Sequence, residues 1–162
     1  MKLDDTFHMR RLDELDLEQF NALLRYAFQV TTTEMVKTGW SEEEIKREKL
    51  PMLTEGYVLG WFHNEHLASQ IVIYPMEVNV EGEIVKMGGI TGVTTYPEYA
   101  GRGLIHSLMS ECLRHMREKR QYISILCPYS IPFYRKMGWE VVSDKLSFHI
   151  KDTQLPRRKP VP

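Results

Sequence analysis

Residues 91–104, TGVTTYPEYAGRGL, decide the fold that this sequence predicts. A β-rich run enters the stretch, and a loop with a proline leads through Gly101 and Gly103 into a long amphipathic segment. Glycine lets the backbone approach a ligand because no Cβ stands in the way. The first N–H groups of a helix have no partner within the helix and lie at the positive end of its dipole. We therefore predict an anion site suited to phosphate, with a tight turn that binds nothing as the alternative.

The segments on either side of the turn predict a βαβ unit across residues 89–127. Residues 89–95 and 122–127 are β-rich and are expected to form strands. Between them, apolar residues recur every four positions in two adjacent rows, which is typical of a helix with one buried face. The rows are Leu104, Leu108, Cys112 and Met116, and Ile105, Met109 and Leu113.

The rest of the chain mixes helical and β-rich patterns, so the expected fold class is α+β (α/β). A strand over residues 7–12 precedes a helix that we expect to be capped at Asp16. A second helix begins after Ser41 and ends or kinks at Pro51, and residues 30–40 are expected to form a loop. Further strands are expected at residues 56–62, 67–74, 76–80, 83–87, 139–142 and 147–150, and a short helix at 131–137.

Composition excludes several classes of function. The chain has 162 residues and a net charge of −1, which favours one domain and argues against binding to nucleic acid or to an acidic membrane surface. Its two cysteines show no disulfide or metal-ligand spacing, and Cys127 is expected to be buried. No apolar run approaches the ~20 residues that cross a bilayer, and the N-terminus lacks a signal-peptide pattern. We expect a cytoplasmic protein without a metal site.

Two common phosphate-binding motifs do not match the glycine turn. A P-loop requires Lys followed by Ser or Thr after the turn, and neither stands there. A dinucleotide fingerprint requires a third glycine at the position of His106. The sequence therefore disfavours a nucleotide or dinucleotide binder.

The turn and a later segment resemble two motifs of the GNAT acetyltransferase superfamily. Residues 98–103, EYAGRG, are similar to motif A, Gln/Arg-x-x-Gly-x-Gly/Ala, with Glu98 in place of Gln or Arg. Residues 131–140, IPFYRKMGWE, are similar to motif B, aromatic-Tyr-x-x-x-Gly-aromatic. The resemblance covers residues 6–150. It implies a central mixed sheet flanked by helices, with a splayed strand pair that holds acetyl-CoA (coenzyme A).

Residues 89–105 most resemble the Eis-type (enhanced intracellular survival) branch of that superfamily. Eis-type proteins have two acetyltransferase-like domains and a third, sterol-carrier-like domain, and the resemblance places this chain in the first. We therefore assign residues 1–152 to one acetyltransferase domain and residues 153–162 to a tail or truncated linker. The resemblance is also compatible with a homo-oligomer for the whole protein.

The resemblance implies which residues hold acetyl-CoA. Backbone groups of Val93, Thr94 and Thr95 are expected to contact the pantetheine and the acetyl carbonyl. A strand N–H that faces the thioester oxygen would stabilise the oxyanion formed when an amine attacks. The other expected cofactor-binding residues are Gly101, Arg102, Gly103, Leu104, Ile105, His106, Tyr129 and Ser130.

Tyr134 is the residue that we expect to be catalytic. A thiolate leaving group benefits from a proton donor, and a phenol with a reference pKa of about 10 is close enough to a thiol to share a proton. A packed aromatic residue beneath the short helix is the alternative. No His or carboxylate stands at a position suited to a general base. In Eis-type relatives the resemblance implies that the C-terminal carboxylate of the last domain takes this role.

Two hypotheses for the function follow. The first is an acetyl-CoA-dependent N-acetyltransferase whose acceptor is a primary amine of a small molecule, such as an aminoglycoside, or of a peptide lysine. The second is a non-catalytic CoA-binding domain of a larger Eis-type protein, which the missing base favours.

Overall fold

The computed structural model describes residues 3–144 and 146–154. These residues fall into two compact units, one that ends at Cys127 and one that begins at Pro128. The predicted tail at residues 155–162 lies outside the described residues.

The first unit is built on one sheet of five strands in the order β1-β2-β3-β4-β5. Neighbouring strands are antiparallel, except that β4 and β5 are parallel. The strands are β1 (Phe7–Arg11), β2 (Tyr57–His63), β3 (His66–Val80), β4 (Glu83–Thr95) and β5 (Ile123–Leu126). The predicted mixed sheet and the predicted βαβ unit are both confirmed.

Strands β3 and β4 are each longer than the sequence predicts. Pro75 does not end β3, because β2 begins at Tyr57 opposite Ile73 and leaves β3 with β4 as its only neighbour at residue 75. A proline, which lacks an N–H, is tolerated on such an open strand edge. The two strands form one hairpin whose turn is Glu81-Gly82, with φ of 52° and 96°. This turn was predicted from the sequence.

The described part of the first unit contains five α-helices, and the connection before β2 is more helical than expected. They are α1 (Leu17–Phe28), α2 (Thr32–Lys37), α3 (Glu42–Arg47), α4 (Leu50–Glu55) and α5 (Leu104–Glu118). The predicted loop at residues 30–40 contains α2, and Pro51 lies in the first turn of α4 instead of ending a helix. Proline fits a first turn because its missing N–H would have no partner there. No helix of the described residues has both the length and the apolar character needed to cross a membrane.

Helices α1 and α5 cover opposite faces of the sheet. Phe62 of β2 packs with Phe20 and Leu24 of α1, whereas Trp61 donates a hydrogen bond to Ser107 Oγ of α5 at 2.8 Å. Adjacent strand residues point to opposite faces, so the two contacts place the helices on different sides. Burial raises the pKa of the Cys112 thiol of α5 to about 12. The α5 residues whose side chains lie in the core are Leu104, Leu108, Met109, Cys112 and Met116.

The second unit contains α6 (Ile131–Arg135) and a short 3-10 turn, Asp152–Gln154. The strands predicted at residues 139–142 and 147–150 are absent from the described part of this unit, where residues 139–144 and 146–151 have no regular structure. Arg135 forms an ion pair with Glu140 that lowers the pKa of the Glu140 carboxyl to about 2.

A buried carboxylate anchors the start of α1. The prediction that Asp16 caps α1 was wrong for its side chain, which makes no capping hydrogen bond to the helix; Asp13 caps the short turn before it. Asp16 instead accepts two hydrogen bonds from Arg10, Nη1 to Oδ2 at 2.6 Å and Nη2 to Oδ1 at 2.7 Å. These bonds lower the pKa of the Asp16 carboxyl. A carboxyl with a lowered pKa stabilises the fold above its unfolded-state pKa and loses that contribution as the pH falls.

We expect Asp16→Asn to lower the free energy of unfolding at pH 7 by about 1–2 kcal/mol, because a charge-assisted pair is lost while Arg10 remains partly exposed. The difference from the wild type should narrow as the pH falls below about 4, where the Asp16 carboxyl of the unfolded wild type takes up a proton, and should be lost below the lowered pKa of the folded carboxyl. Urea unfolding across pH measures both effects. The exposed Asp5, as Asp5→Asn, is the matched control. A difference that stays constant with pH would contradict the role of the ion pair.

Candidate functional site

Strand β5 pairs with only part of the length of β4. Their parallel pairing runs from Met87 opposite Ile123 to Ile90 opposite Leu126. Strand β5 ends there, whereas β4 continues to Thr95. The last five residues of β4 therefore have no β5 partner, and the backbone of this segment is open on that side. This is the splayed strand pair that the sequence resemblance implied.

The free end of β4 is held in place from the β3 side. Gly92 has φ +59°, and the register between β3 and β4 shifts between Gln70 and Val72. Beyond this irregularity, the Thr94 hydroxyl donates to the Gly92 carbonyl at 3.3 Å. The buried Ser69 hydroxyl donates to the Thr94 carbonyl at 3.1 Å. The segment from Val93 to Thr95 is thus ordered without the help of β5.

The glycine turn presents uncapped N–H groups at the start of α5. Gly101 and Gly103 have φ of +74° and +79°, in the left-handed region that favours glycine. A Cβ on either residue would meet no atom within 4 Å, so the space in front of the turn is open. Gly103 is the N-cap residue of α5 and offers no side chain to the first amides of the helix. The turn therefore has the geometry of the predicted anion site.

An aromatic cluster supports the turn from the end of the sheet. The Arg102 guanidinium lies over the rings of Phe7 and Tyr99, 5.5 and 5.7 Å from their centroids. His63 stacks on Phe7 at 4.7 Å, and its Nδ1 lies 3.2 Å from the Tyr99 hydroxyl oxygen. Sequence reasoning missed the contact of His63 with Tyr99, because it depends on the pairing of β2 with β3 and of β3 with β4 and leaves no local pattern. Arg102 also donates to the Glu98 carbonyl at 3.4 Å.

The predicted cofactor-binding residues of the first unit form one continuous segment, from Val93 to His106. Their side chains differ in access. Leu104 is 2% exposed and packs with Phe7 and Ala68, so only its backbone N–H is available to a ligand. Thr94 is also buried, whereas His106 is exposed. The groups that this segment offers to a ligand are therefore mainly its backbone N–H and C=O groups.

Three of the predicted site residues belong to the second unit. Tyr134 lies on α6 and is 4% exposed, with the rings of Tyr129 and Phe133 edge-on to it at 5.8 and 5.1 Å. Ser130 is the N-cap residue of α6, and its carbonyl accepts the N–H of Phe133 and of Tyr134. Tyr129 is exposed.

An apolar cleft of about 510 Å³ lies where β4 and β5 separate. Cys127 lines the cleft and is exposed, so the expectation that it is buried was wrong. The strand ends at Leu126, and the side chain of the next residue is not covered within the core. None of the lining residues is a carboxylate or an imidazole. They are Tyr74, Met76, Gly89, Ile90, Thr91, Ile125, Leu126 and Cys127.

Comparison with known proteins agrees with this geometry. The model of the acetyltransferase (GNAT) domain family matches residues 8–142. The chain belongs to this family. GNAT acetyltransferases use acetyl-CoA as the acetyl donor, and the GNAT chain described here has the open strand pair and the glycine turn in one continuous segment.

Relatives of the GNAT chain differ in length. It is 26% identical over 136 residues to an uncharacterized ycf52-like N-acetyltransferase from Prochlorococcus marinus. The aligned region covers 83% of this chain and 68% of that protein. A solved structure of a probable N-acyltransferase from Enterococcus faecalis is 30% identical, with a TM-score of 0.72 over 83% of this chain. A GCN5-related N-acetyltransferase from Kribbella flavida is 26% identical, with a TM-score of 0.69 over 82%. The chain spans 32% of each of those two longer chains.

Proposed function

We propose that the chain is an acetyl-CoA-dependent N-acetyltransferase that transfers an acetyl group to a primary amine. The observation that carries the proposal is the separation of β4 from β5 next to an uncapped glycine turn, in a chain of the GNAT family. The open backbone of β4 and the open turn lie on one continuous segment. An elongated ligand with a phosphate group at one end and a carbonyl at the other matches that arrangement.

The turn is proposed to bind the pyrophosphate of the cofactor. The N–H groups from Gly101 to His106 include the uncapped amides at the positive end of the α5 dipole. Arg102 adds a positive charge, and its contacts with Phe7 and Tyr99 hold the guanidinium beside the turn. The absence of a Cβ at Gly101 and Gly103 keeps the approach clear.

The free end of β4 is proposed to orient the thioester. Acetyl-CoA supplies an activated acetyl group. A backbone N–H between Val93 and Thr95 donates a hydrogen bond to the acetyl oxygen, which gains negative charge as the amine attacks. The Ser69 and Thr94 hydroxyls fix the backbone of this segment before any ligand arrives, so little reorganisation is needed.

Tyr134 is proposed to donate a proton to the departing thiolate. Its position in the Tyr-x-x-x-Gly-Trp pattern of residues 134–139 supports this role. Burial and the rings of Tyr129 and Phe133 restrict the side chain, which favours a defined hydroxyl position. Tyr129 and Ser130 are proposed to contact the cofactor.

The acceptor is proposed to be a small-molecule amine, such as an aminoglycoside, or a peptide lysine. An Eis-type relationship is part of this proposal. Similarity to two chains about three times as long supports it, with 30% and 26% identity. The apolar cleft lies next to residues 93–95, which we call the thioester segment, and suits the methylene groups that carry a primary amine.

A second candidate function is a CoA-binding domain without catalysis. The observation in its favour is the composition of the apolar cleft, whose lining residues include neither a carboxylate nor an imidazole to take a proton from the amine. An ammonium group must lose a proton before it can attack, and general base catalysis supplies that step in many enzymes. Measurement of acetyl transfer to an amine distinguishes the acetyltransferase from the non-catalytic CoA-binding domain.

We expect Gly103→Ala to raise the acetyl-CoA Kd about tenfold, because a Cβ disfavours the φ of +79° that Gly103 adopts next to the uncapped amides of α5. Gly82→Ala is the matched control, since Gly82 also has a positive φ and open space but lies at the β3–β4 hairpin turn. Both variants should lose about 1–2 kcal/mol of stability from left-handed strain. Calorimetric titration and urea unfolding measure the two quantities. Equal acetyl-CoA affinities in the two variants would contradict a phosphate site at the turn.

The enzymatic function predicts release of free CoA thiol when the chain is mixed with acetyl-CoA and an amine acceptor. The panel should contain an aminoglycoside, a lysine peptide and small aliphatic amines. Thiol release above the rate without acceptor, for at least one amine, is the expected result. Binding of acetyl-CoA without release for every amine would favour the non-catalytic domain.

Tyr134→Phe is expected to lower kcat about 100-fold, the lower end of what general acid catalysis contributes, with the acetyl-CoA Kd unchanged. Tyr122→Phe, at an exposed tyrosine, controls for the loss of a phenol hydroxyl. Because Tyr134 is buried, the melting temperature of each variant should be recorded beside the kinetics. An unchanged kcat in folded Tyr134→Phe would exclude the proton-donor role.

A further inference from the structure

A second cavity, of about 690 Å³, lies in the first unit near the C-terminal end of α5. His115 and Lys119 of α5 line one side, and the β3–β4 hairpin lines another through Glu77 and Lys86. At about 1.5 Å per residue, His115 is ~16 Å along the helix from the start of α5 at Leu104. The cavity is therefore separate from the glycine turn, and we call it the charged cavity.

Five charged side chains line the charged cavity, and none forms an ion pair within 4.0 Å among the residues that the structure describes. Arg11, Lys86 and Lys119 are positive, and Glu55 and Glu77 are negative. Glu77 and Lys86 stand opposite each other in the β3–β4 register but remain too far apart to pair. Charges of both signs around one space favour a ligand that itself carries separated charges of both signs.

Two stacked aromatic rings form part of the wall of the charged cavity. The Tyr57 and His115 rings are parallel within 6°, with centroids 3.5 Å apart. The Arg11 guanidinium carbon lies 5.3 Å from the Tyr57 centroid. Burial lowers the pKa of His115, and the nearby Lys119 lowers it further, which favours the neutral imidazole. The lining then carries three positive and two negative charges.

We propose that the charged cavity binds an acidic amino acid, or a short acidic peptide with a free ammonium group, as a zwitterion of net charge −1. The two carboxylates of such a ligand match the excess of cations, Arg11, Lys86 and Lys119, and the ammonium matches Glu55 and Glu77. A polyanion such as a phosphate is disfavoured because both glutamates would repel it. The volume falls within the ~300–1,000 Å³ range of small-ligand sites.

The charged cavity and the apolar cleft share one side chain. Met76 lines both. Its sulfur also fills the space next to Gly89, where a Cβ would come within 2.4 Å of it. A ligand in the charged cavity therefore touches a side chain that also contacts the strand bearing the thioester segment. Binding itself does not depend on the proposed acetyl transfer.

The test is a ¹H–¹⁵N correlation titration of the whole chain with L-glutamate, without acetyl-CoA. We expect saturable shifts at amides of the cavity lining, such as Gly56, Lys86 and Gln121. Glutarate lacks the ammonium and L-glutamine lacks one carboxylate, so each should bind about tenfold more weakly. Equal affinity for glutarate, shifts confined to the glycine turn, or no saturable shift would each overturn the proposal.

Variants that each remove one positive charge test whether L-glutamate binds in the charged cavity. Lys86→Gln and Lys119→Gln should each raise the L-glutamate Kd about tenfold, because each removes a cation that faces a carboxylate. Lys37→Gln, at an exposed lysine of α2, is the matched control and should leave that Kd unchanged. These exposed substitutions are expected to keep the dispersed spectrum of the wild type. An unchanged Kd in both cavity variants would overturn the assignment to this cavity.

Discussion

The open backbone of β4 beyond Ile90 is the constraint on which the site depends. A strand in the middle of a sheet satisfies its backbone groups on both sides, and β4 loses its partner on one side after Leu126 of β5. The chain supports the unpaired segment from the other side, through Ser69 and the irregular pairing around Gly92. A connection of eight residues, which includes the 3-10 turn Pro97–Tyr99, leads from β4 to α5, whose first amides have no side-chain cap. The unpaired end of β4 and the uncapped start of α5 are thus close in sequence.

This arrangement explains why side chains contribute little to the expected cofactor contacts. Leu104 and Thr94 are buried and serve the core and the strand, so their side chains are not available to a ligand. Backbone recognition depends on conformation, so glycines at positive φ matter more than any functional group at those positions. Glu98, which departs from the motif, contributes its carbonyl to Arg102, a role that another residue type could also fill.

Much of the first unit was predictable because its signals are local. The glycine turn, the two apolar rows of α5 and the Glu81-Gly82 turn all depend on residues close in sequence. The continuity of β3 through Pro75 was not predictable, since it depends on where β2 begins. For the same reason, the contact of His63 with Tyr99 and the charged cavity require the assembled sheet. The strands expected at residues 139–142 and 147–150 do not form in the described second unit, where no neighbouring strand is present to pair with them.

The different environments of the two cysteines have a practical consequence. Thiol reagents react with the thiolate, and a pKa of about 12 leaves Cys112 almost entirely protonated at neutral pH, in addition to being buried. Cys127 is exposed at the rim of the apolar cleft. A maleimide fluorophore or spin label would therefore attach at one defined point without any engineered cysteine. That point lies where the acceptor is proposed to enter, which gives the native chain a built-in reporter of its own substrate.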